Sequence, residues 1–222
     1  MGRALETITM ALIYVSILCL LTLVSSVEVN VQDQSRIIHA GTTFTSRNYT
    51  SILSVPNGEK FGNWMWSELC PENFYATGFS LRVEPKQYGG DDTALNGIRL
   101  FCVQSGDRRF LYSVESHTGH FGEWTEPRWC PSGTLSSFQL RVEPHQGIFG
   151  DDTSVNNIRF RCSSNPTLEG QGLTWGEYGD WSNDCRSGGI CGIQTKMELY
   201  QGALDDSSLN DVRFHCCTQS QQ

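Results

Sequence analysis

Val83 to Cys102 reads "VEPKQYGGDDTALNGIRLFC", and the same text returns twice further along the chain. Val142 to Cys162 reads "VEPHQGIFGDDTSVNNIRFRC", and Met197 to Cys216 reads "MELYQGALDDSSLNDVRFHC". Anchored on the paired aspartates Asp91-Asp92, Asp151-Asp152 and Asp205-Asp206, the copies are spaced by 60 and then 54 residues. Asn96, Asn156 and Asn210 follow in register, then Arg99, Arg159 and Arg213, then Cys102, Cys162 and Cys216. Upstream, "FGNW" (61–64), "FGEW" (121–124) and "YGDW" (178–181) each precede a cysteine, at Cys70, Cys130 and Cys185. Repetition on this scale sets the architecture before any single residue does. The three repeats run over about 51–102, 111–162 and 171–216.

Within each copy the hydrophobic period is two. "FSLRVE" (79–84), "FQLRVE" (138–143) and, more loosely, "IQTKME" (193–198) alternate apolar with polar residues. "IRLFC", "IRFRC" and "VRFHC" form a second such stretch in each copy. That is the pattern of a half-buried strand, and the Gly, Pro, Asn and Asp clusters between the two stretches are turn chemistry. No helical stripe competes, so the sequence predicts an all-β protein. A linear stack of three units would need capping repeats, and little chain is left for them. One sheet alone could not hide its apolar face, so the expected form is closed: one sheet per copy, three around a common axis.

Ala11 to Val24, "ALIYVSILCLLTLV", is short for a membrane span and is followed by small residues at Val24 and Ser26. Residues 1–26 therefore read as a secretory signal peptide. The formal net charge is −8, without a Lys/Arg cluster, which argues against nucleic acid and anionic membrane surfaces as partners. Of nine cysteines, Cys19 falls in the leader; the other eight read as a disulfide framework in an oxidising compartment. Repeat equivalence suggests Cys70–Cys102, Cys130–Cys162 and Cys185–Cys216, which leaves Cys191–Cys217.

"YTSILSVPNGEKFGNWMWSELCP" (49–71), "GDDTALNGIRLFC" (90–102), "FGEWTEPRWCP" (121–131) and "LNDVRFHCC" (209–217) closely resemble the vitelline membrane outer layer protein I family, over residues 49–217. The resemblance implies a single β-prism domain of three Greek-key antiparallel sheets with pseudo-threefold symmetry and four disulfides. It also implies a secreted component of an extracellular coat, associated with N-acetylglucosamine oligosaccharides, and a glycosyl-transferring activity for which it assigns no catalytic residue. Residues 27–48 precede the usual start of the family; the sequence leaves open a disordered tail, an extra edge strand or a removed pro-segment. Residues 218–222 form a short C-terminal tail.

The repeated polar residues Glu84, Asp91, Asp92, Asn96, Arg99, Glu143, Asp151, Asp152, Asn156, Arg159, Glu198, Asp205, Asp206, Asn210 and Arg213 are read as structural, because a site normally breaks symmetry whereas a fold repeats it. The aspartates suit Asx-turns better than a calcium loop, lacking the alternating acids of an EF-hand. The arginines are expected to pair with Glu84, Glu143 and Glu198, or with the aspartates. Trp64, Trp124 and Trp181 are expected as equivalent core residues. Trp66, Trp129 and Trp175 are the candidates for stacking on sugar rings. Asn48 begins an Asn-Tyr-Thr glycosylation sequon. The histidines match no zinc spacing, and no cofactor motif is found. A monomeric coat component comes first, a lectin-like module second and an enzyme last, since abundant carboxylates alone do not make a glycosidase pair.

Overall fold

Each copy's two alternating stretches become the long central hairpin of a sheet, but the hairpin is only half of that sheet. The computed structural model describes residues 37–39, 47–85, 94–104, 107–143, 154–198 and 209–219, all within the unit of Ile37–Gln222. The leader, the aspartate pairs Asp91-Asp92, Asp151-Asp152 and Asp205-Asp206, and residues 220–222 lie outside the described residues.

In chain order the strands begin with β1 (Ile37–His39), β2 (Ser51–Leu53), β3 (Asn63–Leu69), β4 (Phe74–Val83) and β5 (Leu95–Gln104). β6 (Asp107–Glu115), β7 (Glu123–Trp124), β8 (Arg128–Trp129), β9 (Leu135–Val142) and β10 (Val155–Cys162) follow. The last are β11 (Thr167–Glu169), β12 (Glu177–Tyr178), β13 (Gly189–Met197) and β14 (Leu209–Cys217). Sheet 1 has the order β1-β6-β5-β4-β7, with β8 also on β4; sheet 2 is β11-β10-β9-β12; sheet 3 is β2-β14-β13-β3. All pairings are antiparallel except β1 with β6. Within residues 27–48, Ile37–His39 form an edge strand, and residues 47–48 are described as well.

One sheet per copy is therefore incorrect. The first copy sends β2 and β3 to sheet 3 and β4 and β5 to sheet 1; the second sends β7 and β8 to sheet 1 and β9 and β10 to sheet 2. The third completes sheet 2 with β12 and returns to sheet 3 with β13 and β14. First and last copies thus share a sheet, and the chain is sewn into a ring.

Bulges make that exchange work. In every central hairpin the register slips at two equivalent places. One slip leaves Thr77, Ser136 or Cys191 outside the pairing, and the other leaves Asn96, Asn156 or Asn210 outside it. A bulged residue frees a carbonyl from the ladder, and a buried carbonyl needs a donor. The segment arriving from the neighbouring copy supplies both. Asn96, Asn156 and Asn210 accept the amides of Gly119, Leu173 and Glu59 at 2.7, 2.8 and 2.8 Å. Thr77, Ser136 and Cys191 accept those of Cys130, Cys185 and Cys70, each at 2.8 Å. The repeated asparagines are thus bulge residues, fully buried where the chain changes sheet.

The cysteine so delivered lies against one sheet while its partner belongs to the next. Cys70–Cys102 joins sheet 3 to sheet 1, Cys130–Cys162 joins sheet 1 to sheet 2, and Cys185–Cys216 joins sheet 2 to sheet 3. Cys191–Cys217 instead ties adjacent strands of sheet 3. In the chain-entropy view each bridge stabilises the fold by about 3–4 kcal/mol. Inside, the apolar faces meet: Phe79 of sheet 1 lies 4.7 Å, centroid to centroid, from Phe160 of sheet 2. Phe214 of sheet 3 lies 5.1 Å from Phe160 and 4.8 Å from Phe138. All four rings are fully buried, and the burial of each is worth about 2–3 kcal/mol.

Candidate functional site

With the inner faces packed together, the described surfaces able to meet a ligand include the three outer faces and the seams between sheets. Each outer face carries the same stack. The Arg213 guanidinium carbon lies 3.8 Å from the Trp64 ring centroid, Arg99 lies 3.9 Å from Trp124, and Arg159 lies 3.8 Å from Tyr178. Cation–π contact at this range, with the ring shielding the cation from water, contributes about 1 kcal/mol. Two residues before each ring stands a left-handed glycine: Gly62 (φ 72°), Gly122 (φ 79°) and Gly176 (φ 69°). A Cβ there would overlap the neighbouring strand's backbone, at Met197, Val83 and Val142.

The third copy's counterpart of "FGNW" is therefore "WGEY" (175–178), not "YGDW" (178–181). Tyr178 replaces Trp181 as the equivalent of Trp64 and Trp124, and Trp181 instead receives Arg161 at 4.4 Å. None of these rings is core; all are half-buried beneath an arginine. Trp175 is the counterpart of the exposed Phe61 and Phe121, and is itself half-buried.

Two of the arginines pair with acids outside the expected set, and the aspartates named as alternatives lie outside the described residues. Arg99 Nε donates to Glu115 Oε2 at 3.0 Å, and Arg159 Nε and Nη2 donate to Glu169 Oε2 at 3.1 and 2.9 Å. Register is the reason: Glu115 and Glu169 stand directly opposite Arg99 and Arg159 on β6 and β11. Glu84, Glu143 and Glu198 follow the last paired residue of their strands.

A third repeated feature is complementary filling. At one position on the second hairpin strand stand Gly97, Asn157 and Asp211, facing Thr118, Gly172 and Gly58 respectively. Where the strand has no side chain the loop supplies one, and the reverse. Asn157 Nδ2 donates to the Gly170 carbonyl at 3.0 Å, and its Oδ1 accepts Ile158 N at 2.9 Å. Asp211 repeats the second bond to Val212 N at 2.8 Å, but as a carboxylate it has no proton to give. Burial pushes its pKa up to about 6, against the lowering effects of the Val212 amide, Lys196 and Arg213.

Two of the three candidate stacking tryptophans are open to solvent, Trp66 at 44% and Trp129 at 41% exposure. Trp129 lies flat on sheet 1. A Cβ on Gly78 would come within 2.5 Å of its Cε3, and the buried Phe101 ring lies 5.0 Å away at 31°. Only glycine at position 78 lets the indole settle on the strand, and the contact leaves one indole face outward. Trp66 stands at the seam of sheets 3 and 1, edge-on to His117 at 5.5 Å, with its carbonyl accepting Ser116 Oγ at 2.7 Å. Asn48 is exposed on a strap that Arg47 pins by donating to the Pro71 carbonyl at 2.8 Å, while Thr50 N donates to the Cys216 carbonyl at 2.7 Å.

Sequence reading missed Glu68. It is buried on β3, and burial followed by the Glu115 carboxylate raises its pKa. Burial and then His120 lower that of His117; burial lowers that of His215, whose Nε2 lies 3.3 Å from Ser67 Oγ. The signal for Glu68 was present in the repeat: two residues before the cysteine the copies read Glu68, Arg128 and Asn183. Among the described residues no three His, Cys, Asp or Glu side chains converge as a metal site would require.

Three antiparallel sheets closed around one core, each with an outward aromatic–arginine stack, define a disulfide-bridged β-prism. The plant lectin frutapin from Artocarpus incisa has a similar fold, with a TM-score of 0.50 at 15% identity over 77% of this chain and 99% of the lectin. The family model for vitelline membrane outer layer protein I matches residues 51–219, and this chain belongs to that family. The mouse and human vitelline membrane outer layer protein 1 homologs are 52% and 50% identical to it over 171 residues, which is 76% of this chain and 84% of each relative.

Proposed function

We propose that this protein is a secreted component of an extracellular coat and associates with N-acetylglucosamine-type oligosaccharides through its outward indoles. The observation that carries the glycan half is Trp129. A sugar's apolar face stacks on a wide, rigid ring, and this indole is held flat over Gly78 with one side in solvent. The secreted half rests on the leader-like residues 1–26, on family membership and on four disulfides. Asn48, exposed and within a sequon, is the proposed attachment site for an N-linked glycan.

Calorimetry against N-acetylglucosamine oligomers tests the association. Binding at millimolar ligand or tighter is expected, weakened about tenfold by Trp129→Ala, as loss of one stacking ring implies. A heatless titration would remove the glycan half and leave the coat role standing. Incubating a hexamer with the protein and measuring oligomer length separates binding from turnover: unchanged chains favour a binding module, and redistributed chains an enzyme.

A further inference from the structure

The three seams between sheets are built from equivalent positions, and one is charged unlike the others. Counting from the bridge cysteines places Glu68, Arg128 and Asn183 in register, each two residues before Cys70, Cys130 and Cys185. Glu68 pairs with Ile193 just as Arg128 pairs with Phe79, at the same level of their sheets. Across the seam, Glu115 and Glu169 are equivalent, each opposite its arginine on the neighbouring strand. The seam of sheets 1 and 2 therefore has Arg128 and Glu169, a cation and an anion. The seam of sheets 3 and 1 has Glu68 and Glu115, two anions.

Stability alone does not account for that choice. Glu68 retains only 9% exposure, and its buried Oε1 has no hydrogen-bond partner among the described residues. Burying a carboxylate unpaired costs several kcal/mol, and a like charge beside it adds to the cost. Its titration responds to burial and to Glu115 in the same direction, with no cation opposing them among the described residues. Glu115 has 38% of its side chain in solvent and commits Oε2 to Arg99, whose guanidinium is already seated on Trp124. Trp66, two residues before Glu68 on β3, is exposed; its ring stands edge-on to His117 and its carbonyl accepts Ser116 Oγ, next to Glu115 in the chain.

We propose that the seam between β3 and β6 is a binding site for a guanidinium group, taken between the Glu68 and Glu115 carboxylates with the Trp66 ring as its third wall. The other seam indicates the sign of what is missing: it has a cation, Arg128, at the position where this seam has a second anion, Glu68. A guanidinium fits better than an ammonium, because its plane stacks on an indole while its edge donates to two carboxylates. The ligand is therefore an arginine side chain presented by a partner, and the site does not depend on the glycan reading.

The test follows the Trp66 indole N–H resonance in the full secreted chain while N-acetyl-arginine amide is added, with N-acetyl-citrulline amide as the uncharged control of equal shape. A saturable shift is expected with the arginine probe. It should be at least about tenfold weaker with citrulline, and several-fold weaker in both Glu115→Gln and Glu68→Gln, as for loss of one charge-assisted contact. Glu115 is half in solvent, so its variant keeps the test valid should Glu68→Gln misfold. Equal shifts from both probes, or a titration indifferent to Glu115→Gln, would overturn the site, whatever the outcome of the sugar titration.

Discussion

Asp211 shows how one atom type sets a pH response. Its equivalent, Asn157, donates to the Gly170 carbonyl, and an acid in that niche can do so only when protonated. Folding raises its pKa from 3.8 to about 6, so the folded state binds the extra proton. The stability this confers is complete below the unfolded pKa and is lost as pH rises through about 6. His215 acts with the opposite sign: its pKa is lowered, so stability is lost as pH falls below its ordinary 6.5. The two slopes partly cancel in the native protein. Asp211→Asn should therefore raise stability at pH 7 by up to about 2 kcal/mol, discounted for partial exposure, and leave a clear loss on acidification. Urea melts at pH 5 and 7 would decide; no gain at pH 7 would mean that Asp211 is adequately solvated.

At the scale of elements, the entry into β7 is the sharpest test of how a copy meets its neighbour. Gly122 turns the chain in a left-handed conformation and brings its backbone against Val83 and Glu84. Gly122→Ala adds both conformational strain and overlap with a strand that cannot yield, and should cost about 2 kcal/mol or more. A melting temperature within a degree of the native protein would show that the turn has room to relax. The strands themselves were legible because alternation is a local property: "FSLRVE" and "IRLFC" state their faces without reference to anything distant. Three of the cysteine couples could be suggested from the sequence because the repeat spaces them alike, by 32, 32 and 31 residues. The exchange of strands between copies was not. Nothing within "FGNW" says which hairpin it will join, and matching letters favoured "YGDW" over "WGEY" because two tryptophans look more alike than a tryptophan and a tyrosine. The conformational requirement at the glycine decided otherwise. Of the candidate site, Trp66 and Trp129 were visible as non-repeating rings. Glu68 was not, because its significance lies in the opposite charge at the equivalent position, Arg128, one sheet away.

The molecule as a whole is bound by its circular order of strands. Removing the third copy would not leave two-thirds of a prism, because sheet 2 would lose β12 and sheet 3 would lose both central strands. β2 and β3 would then have no hairpin to pair with, and Phe138 and Phe160 would lose Phe214 as a wall. A fragment of residues 49–162 is expected to be unfolded, with a collapsed amide dispersion and no cooperative melt. A folded fragment would instead identify the sheets as separable bodies.

The three sulfur bridges between sheets also determine how the chain carries tension. A pull on its two ends enters at Cys70 and leaves at Cys102, then enters at Cys130 and leaves at Cys162, and so on through Cys185 and Cys216. The central hairpins lie on the slack side of those shortcuts. Stretching the backbone can lengthen only the connectors, and the hairpins that build the core are spared the load.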